Sequence, residues 1–369
     1  MFYWSLKTLL AEPMRLMVSA LAVAVSFVLV IFFSAVFEGE SDQMVVYLEQ
    51  TQADVWVMQK GVSNMHMASS MLWDWKADFI AKNPQVSEVA AILYLNGPIK
   101  AGGKDWFSYI IGLRPEHSRV GPWAMAEGKS IPGPGEAVIP EVITRLTGIG
   151  IGGEITMIDR KLSVVGLSRE SFSMASSVVF VSATDLGDLL EASDQYSYVM
   201  VYAKPGVDPK DLARQIMQDI DKVNALSSDE FIASDWQLAA QMGAEIVRMM
   251  TLIGTLLAVV IVAFTAYSLI ARKKRELAIA KALGFGNGQI YLAALFQTLV
   301  ITILGLLLAM LISFTILAWL PTVVPQINLA VRLHQFASIA IITLPIALLA
   351  SLAVAHTVVR LDPMSIFHS

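Results

Sequence analysis

Three glycines are the first place in this 369-residue sequence to look for cofactor chemistry. Gly148, Gly150 and Gly153 have the spacing of the dinucleotide fingerprint G-x-G-x-x-G. That fingerprint needs a strand before it and a helix after it, so that the pyrophosphate meets the helix N-terminus. Here a helical pattern over 140–147 comes first and a strand pattern follows. We therefore interpret the three glycines as part of a turn.

The sequence also lacks a phosphate-binding loop. Gly97 and Gly102 have the glycine spacing of that motif, but Gly103 stands where the motif needs lysine. There is no G-x-S-x-G or H-E-x-x-H motif and no cysteine. The five histidines are scattered: His66, His117, His334, His356 and His368. The chain is therefore predicted not to be an enzyme by itself, and any use of ATP requires an ATPase on another chain.

One cluster of soft ligands stands out. Met65, His66 and Met67 are weak candidates for binding copper or haem iron, since thioether and imidazole groups suit both. Methionine is common throughout the chain, however, with 18 residues, and its flexible thioether suits an adaptable apolar surface. A metal site and a surface for a lipophilic substrate both remain open, and the surface is the favoured interpretation.

The composition indicates a membrane protein. Hydrophobic residues make up 56% of the chain and charged residues only 15%, with a mean hydropathy of +0.61. About a quarter of a soluble domain is charged, so an ordinary soluble enzyme is excluded. A membrane-spanning helix needs about 20 apolar residues. Four stretches meet this requirement: 16–37, 249–271, 289–320 and 334–359.

Lysine and arginine near the ends of these stretches predict the orientation. They lie before the first stretch and in 272–288, whereas the loop 321–333 has only Arg332. Both termini and 272–288 are therefore expected in the cytoplasm, and residues 38–243 outside it. This external segment has 16 Lys and Arg against 27 Asp and Glu, a net charge of −11, which disfavours nucleic-acid binding.

The external segment has an α+β pattern, because short β-rich runs alternate with helical ones. Asp208 followed by Pro209 is a typical helix start. The predicted strands are Asp54–Met58, Phe107–Leu113, Glu136–Pro140, Glu154–Ile158, Lys161–Leu167, Val178–Ser182 and Tyr198–Ala203. The predicted helices are Met71–Asn83, Ala183–Glu191 and Pro209–Asn224.

The predicted fold is an integral membrane α-helical protein with four transmembrane helices and a large α+β extracytoplasmic domain inserted between helices 1 and 2. Small residues such as Gly254 and Ala258 in the second span suit close helix packing, within the chain or in a dimer. The predicted segments are 1–37 (N-terminus and first span), 38–243 (external domain), 244–271 (second span), 272–288 (cytoplasmic loop), 289–320 (third span), 321–333 (external loop), 334–359 (fourth span) and 360–369 (C-terminus).

The cytoplasmic loop has the most specific pattern in the chain. From Arg272 to Gly286 it reads R-K-K-R-E-L-A-I-A-K-A-L-G-F-G, with good helix formers up to Leu283 and a natural stop at Gly284. Its charged start and apolar Leu277, Ala280 and Leu283 predict a short amphipathic helix at the membrane surface. This helix either lies at the interface or docks onto a cytoplasmic partner.

This run closely resembles the signature of the FtsX-like ABC transporter permeases. The C-terminal run from Val358 to Phe367 is similar to the usual end of that family, and 134–158 is similar to the MacB-type periplasmic core. The layout resembles the MacB, LolC/LolE and DevC type, called type VII. MacB carries a fused ATPase, which this chain lacks, so the chain looks like a separate-permease member.

The resemblance implies a dimer, made with a second copy or a similar permease, bound to a dimer of ABC ATPase subunits. ATP and Mg would lie on those partners, and no cofactor is expected on this chain. The chain would lie in the bacterial inner membrane, and its cytoplasmic loop 272–288 would form a coupling helix. Its ATPase-contacting residues would be Arg275, Glu276, Lys281, Ala282, Leu283 and Gly284.

By the same resemblance, ATP would drive movement of the external domain, called mechanotransmission. The substrate would be lipophilic or amphipathic and taken from the outer leaflet or periplasm. A DevC-like set would add a membrane fusion protein and an outer-membrane channel. Three alternatives remain: an FtsX-like transmitter that controls cell-wall hydrolases, a haem exporter, and a membrane-anchored external enzyme.

Overall fold

The computed structural model describes residues 7, 9–173, 177–272, 286–324 and 327–359. The chain divides into two compact units. The first, here called the external unit, comprises Gly39–Met242 and Val324–Asn328. The second, the helical unit, comprises Met1–Glu38, Gly243–Val323 and Leu329–Ser369. The external unit is named after the predicted external domain, whose bounds it nearly shares, and its location outside the cytoplasm stays a prediction.

The helices are labelled in chain order. They are α1 Pro13–Gln50, α2 Asp74–Ala81, α3 Glu141–Thr147, α4 Ala183–Leu190, α5 Pro209–Asp219, α6 Ser228–Arg272, α7 Asn287–Val323 and α8 Leu333–Val359, with a 3₁₀ turn at Pro115–Val120. The strands are β1 Val55–Gln59, β2 Leu72–Trp73, β3 Val86–Ala101, β4 Lys104–Leu113, β5 Met125–Gly128, β6 Glu136–Pro140, β7 Glu154–Met157, β8 Arg160–Ser168, β9 Ser177–Ser182, β10 Gln195–Tyr196, β11 Tyr198–Ala203 and β12 Val223–Ser227.

A mixed sheet forms the centre of the external unit. Its strand order is β12-β1-β11-β3-β4-β9-β6-β8-β5, and β7 pairs with both β3 and β8. Most neighbours are antiparallel, whereas β4 with β9 and β6 with β8 are parallel. Strands β2 and β10 form a separate small pair.

The central strands are buried on both faces, which explains why they have continuous apolar runs rather than alternation. In β1, Trp56 and Met58 belong to one core cluster, and Val55 and Val57 belong to another. The second cluster lies under α2 and α5, which supply Ile80 and Leu212 among others. A third cluster packs α3 and α4 against the other end of the sheet.

Local sequence patterns gave most of these elements. Strands β6 and β11 have the predicted bounds, and Asp208 caps α5 by accepting hydrogen bonds from the backbone N–H groups of Lys210 and Asp211. The predicted helix over 209–224 is too long, because α5 ends at Asp219 and Val223–Ser227 pairs with β1 as strand β12. The predicted helix from Met71 is also wrong at its start, since residues 72–73 form β2.

The turn interpretation of the three glycines is confirmed. Gly148 ends α3 in a left-handed conformation, with φ of +78°, and its N–H donates to the Thr144 carbonyl at 2.8 Å. Helix α3 precedes the glycines and strand β7 follows them, the reverse of the order in a dinucleotide-binding motif.

The helical unit contains α7, α8 and parts of the long helices α1 and α6. Within the part of the chain that the structure describes, Leu16–Gln50 and Asn287–Val323 are long and apolar enough to cross a membrane, and Leu252–Ile261 is a shorter apolar stretch. The third span is predicted to end at residue 320, but α7 continues through Pro321 to Val323. Four membrane spans therefore remain a prediction.

The buried side chain of Tyr202, in the core of the external unit, makes the stability of the chain depend on pH. Burial raises the pKa of Tyr202 to about 12, and its hydroxyl donates to the Thr51 carbonyl at 2.8 Å. The unfolded chain, with a tyrosine pKa of about 10, loses this proton first. Stability that is complete below pH 10 therefore declines as pH rises towards 12.

We expect the urea midpoint, followed by tryptophan fluorescence of the full chain in detergent, to fall over this pH range. Tyr202→Phe should make the decline shallower. An identical decline in both proteins would contradict the assignment.

Candidate functional site

The predicted coupling residues lie outside the described part of the chain. Arg275, Glu276, Lys281, Ala282, Leu283 and Gly284 all fall within 273–285. Their role therefore stays a prediction, and only the two flanks of the segment can be examined. One flank is Arg272, the last residue of α6, and the other is Gly286, just before α7.

The second flank begins with a helix cap. The side-chain oxygen of Gln289 accepts the N–H of Gly286 at 3.2 Å, which satisfies a donor at the helix start as in half of a capping box. Further along, the hydroxyl of Tyr291 lies 2.7 Å from Nδ1 of His356, so the start of α7 is bonded to the end of α8. Both contacts lie at the C-terminal flank of the predicted coupling segment.

The three soft-ligand candidates have three different environments. Met65 is buried in the core cluster that contains Trp56 and Tyr198. His66 is also buried, whereas Met67 is 65% exposed. Among the residues that the structure describes, no group of three or more His, Asp or Glu could hold a metal ion. Metal or haem binding by these residues stays a prediction.

His66 instead pairs with an aspartate that sequence analysis missed. Its Nδ1 lies 2.5 Å from Oδ1 of Asp235, whose side chain is fully buried in the first turns of α6. The backbone N–H of Met65 donates to both oxygens of this carboxylate, at 3.1 and 3.0 Å. Helical spacing offered a signal, because Asp235 lies four residues after the buried Phe231 and so on the same face.

Tyrosines surround this buried pair. The His66 ring meets the Tyr109 ring edge-on, with 4.6 Å between centroids. Burial raises the pKa of Tyr94 and of Tyr198, and the negative charge of Asp235 adds to both shifts. The hydroxyl of Tyr94 has no hydrogen-bond partner among the described residues. The cluster is thus an apolar, aromatic site around one carboxylate.

Small residues allow close packing in the helical unit. Gly254 of α6 is buried against Val30 of α1, and a methyl group added at Gly254 would overlap the Val30 side chain. Gly305 of α7 lies similarly against Val23, where an added carbon would come within 2.6 Å of Cγ1. These contacts lie within one chain. The side chain of Ala258 is not described, and a role of Gly254 and Ala258 in a dimer stays a prediction.

A charged cluster ties α1 to the segment before α8. Oε2 of Glu38 lies 3.3 Å from Nε of Arg332, and its Oε1 lies 3.3 Å from Nε2 of His334. The backbone N–H of Ala330 donates to the Ala35 carbonyl at 2.9 Å. Glu38 is only 16% exposed, so its charge depends on these partners. Sequence analysis treated Arg332 only as a topology signal and missed this pairing.

Reversing the charge of the Glu38 side chain, without a change at Arg332, should destabilise the chain. We expect Glu38→Arg to cost about 1–3 kcal/mol, because Arg332 and His334 lose this ion-pair partner and meet a positive charge in its place. We expect the double variant Glu38→Arg/Arg332→Glu to recover at least half of this loss. Thermal unfolding in detergent measures both. The control is the same exchange in the exposed pair Glu154 and Lys161, which should leave the melting temperature nearly unchanged because solvent screens exposed ion pairs. A double variant no more stable than Glu38→Arg would refute the pairing.

Comparison with known proteins agrees with the two-unit architecture. Residues 16–219, more than half of the chain, match the family model of the MacB-like periplasmic core domain. Residues 248–361 match the FtsX-like permease C-terminal family. The second match includes 272–288, the predicted coupling segment.

Mycobacterial relatives match along the whole chain. An uncharacterized ABC transporter permease of Mycobacterium bovis (strain ATCC BAA-935 / AF2122/97) is 21% identical over 368 residues, which is 100% of this chain and 99% of the relative. Another, from Mycobacterium tuberculosis (strain CDC 1551 / Oshkosh), is 21% identical over 369 residues, again 100% of this chain and 99% of the relative.

The solved structures that match this chain include a periplasmic region and an extracellular domain of transporters. The periplasmic region of MacB from Actinobacillus actinomycetemcomitans has a TM-score of 0.38 and 11% identity, covering 50% of this chain and 92% of that one. The extracellular domain of the noncanonic ABC-type transporter YknZ from Gram-positive bacteria has a TM-score of 0.37 and 13% identity, covering 47% and 98%. The family assignment depends on the sequence matches over both units: the chain belongs to the FtsX/MacB-type family of ABC transporter permeases.

Proposed function

We propose that this chain is the permease subunit of an ABC transporter that exports or extracts a lipophilic or amphipathic substrate from the outer leaflet or periplasm. The observation that carries the proposal is the pair of family matches, to the MacB-like core and the FtsX-like C-terminal region, in a chain with no phosphate-binding loop. Such a permease needs a separate ATPase subunit to supply the energy.

The predicted coupling segment is the proposed contact with that ATPase. It follows α6 directly, and α6 is a single 45-residue helix from Ser228 to Arg272. A continuous helix of this kind can carry a displacement along its length. The four apolar stretches 16–37, 249–271, 289–320 and 334–359 contain no Asp, Glu, Lys or Arg, which favours mechanotransmission over a polar pathway through the bilayer.

The surface of the external unit supports a lipophilic substrate. Met67 is 65% exposed, Trp73 and Trp75 are 55% and 53% exposed, and Phe107 is 52% exposed. A contiguous exposed patch of such side chains would mark a binding site. The proposed setting is the bacterial inner membrane, with the external unit in the periplasm and a second permease copy or a similar permease completing the dimer.

The test is purification of the tagged protein from its native membrane in mild detergent, with identification of each associated protein and an assay of ATP hydrolysis. We expect a stoichiometric ABC ATPase whose turnover is inhibited by vanadate. A membrane fusion protein in the same complex would support export through a DevC-like assembly.

Other outcomes would favour the alternatives. Association with cell-wall hydrolases, without any transported substrate, would support the FtsX-like transmitter. Haem retained by the purified protein, and lost in His66→Ala, would support a haem exporter. A protein without an ATPase partner would overturn the proposal.

A further inference from the structure

The buried pair of His66 and Asp235 has no part in the function proposed above. The contacts of the Asp235 carboxylate come from one loop, residues 60–71, which joins β1 to β2. They are Nδ1 of His66 at 2.5 Å, the N–H of Met65 at 3.1 and 3.0 Å, and a longer contact from the N–H of His66 at 3.4 Å. One carboxylate therefore holds the loop to the start of α6.

Stability does not explain why a carboxylate occupies this position. Removing a carboxylate from water costs more than a buried pair commonly returns, and apolar residues of similar volume usually serve a core as well. A charged hydrogen-bond acceptor does provide a fixed geometry, since three donors must converge on it. The chemistry of Asp235 thus suits a residue that positions one segment against another.

The two segments that Asp235 joins differ in character. The loop is also bonded to the sheet, because the hydroxyl of Tyr198 donates to the carbonyls of Asn64 and Ala68, at 3.3 and 3.2 Å. It carries the exposed side chain of Met67. Helix α6 continues from Asp235 to Arg272, next to the predicted coupling segment. A shift of α6 at Asp235 must therefore either move the loop or break the contacts of a fully buried charge.

We infer that Asp235 is a positioning residue that makes the start of α6 and the loop 60–71 move as one body when ATP drives the permease. The inference rests on the proposed function for the source of the movement. The link itself is a property of the external unit and can be tested without an ATPase.

The link is tested by hydrogen exchange and mass spectrometry on the full chain in detergent. Asp235→Asn keeps the size of the side chain but removes its charge, and should speed exchange in peptides covering 60–71 at least tenfold. Peptides covering β3 and β11 should be unchanged. The matched control is Tyr94→Phe, which removes a buried hydroxyl of the same cluster and should leave the loop as in the wild type. An unchanged loop in Asp235→Asn would overturn the inference.

A milder variant covers the possibility that Asp235→Asn fails to fold. His66→Gln keeps the carboxylate and its bonds from the Met65 N–H, and should speed loop exchange at least threefold. Wild-type exchange in a folded His66→Gln protein would overturn the inference.

Concerted movement is tested in the complex with its ATPase. Because the chain has no cysteine, spin labels can be placed at Met67→Cys and at Gln241→Cys on α6. The distance between the labels should stay the same with and without ATP in the wild-type background and change or broaden with Asp235→Asn. A distance that changes with ATP in both backgrounds would overturn the inference. Absence of any ATPase partner would instead refute the proposed function and leave the exchange result standing.

Discussion

Replacing Leu283 by Asp is expected to reduce capture of the ATPase at least tenfold, which corresponds to about 1.4 kcal/mol or more of binding free energy. Leu283 is an apolar residue of the predicted coupling helix, in the region that matches the FtsX-like permease family. A carboxylate there must lose its hydration in a protein interface without gaining a partner. Quantitative co-purification of the ATPase with the tagged permease measures the effect.

Leu10→Asp provides the matched control. It makes the same change at a leucine that is 60% exposed and lies outside the predicted coupling segment, in the predicted cytoplasmic N-terminus. ATPase capture should stay within about twofold of wild type, a change of less than about 0.5 kcal/mol. If Leu283→Asp captures the ATPase as well as this control does, residues 272–288 are not the coupling segment.

Gly254→Leu should have the largest effect within the helical unit. The new side chain would occupy the space of Val30, so that α6 and α1 would have to separate. Overpacking of this kind typically costs about 1–3 kcal/mol, and occasionally more. We expect a lower melting temperature in detergent and less protein in the membrane.

Two further variants separate packing from a general effect of size. Leu256→Phe enlarges a side chain of the same helix that is 63% exposed, and should leave the melting temperature nearly unchanged. Adding Val30→Ala to Gly254→Leu makes room for the new side chain and should restore part of the lost stability. If the double variant melts below Gly254→Leu, Val30 is not the residue that limits space at Gly254.

The longest strand of the external unit shows why local patterns were insufficient. Strand β3 has 16 residues and contains Gly97 and Pro98, which ordinarily break a strand. It pairs with β11 over 86–92, with β4 over 93–101 and with β7 at 99–100. On the edge of β3 away from β4, Pro98 lies in the gap between the pairing with β11, which ends at residue 92, and the pairing with β7, which begins at residue 99, so that edge has no ladder at this position. A proline is therefore tolerated at this position of β3 only because of how strands distant in the sequence are arranged around it.

The elements that the sequence alone could predict are those that depend on interactions between residues close together in the chain. Continuous apolar runs, Asp208 before Pro209 and the stop at Gly148 depend on residues within a few positions of each other. The family resemblance likewise depended on local runs, from Arg272 to Gly286, over 134–158 and from Val358 to Phe367, and the family matches bear it out.

The tertiary structure decided which distant residues meet. Asp235 reaches His66 across 169 positions of sequence, and Glu38 reaches Arg332 across almost the whole chain. No local pattern encodes such a pair, because the number of residues between two partners along the chain does not determine how far apart they lie in the fold. The buried carboxylate is therefore recognisable as a positioning residue only when the loop, the sheet and the helix around it are seen together.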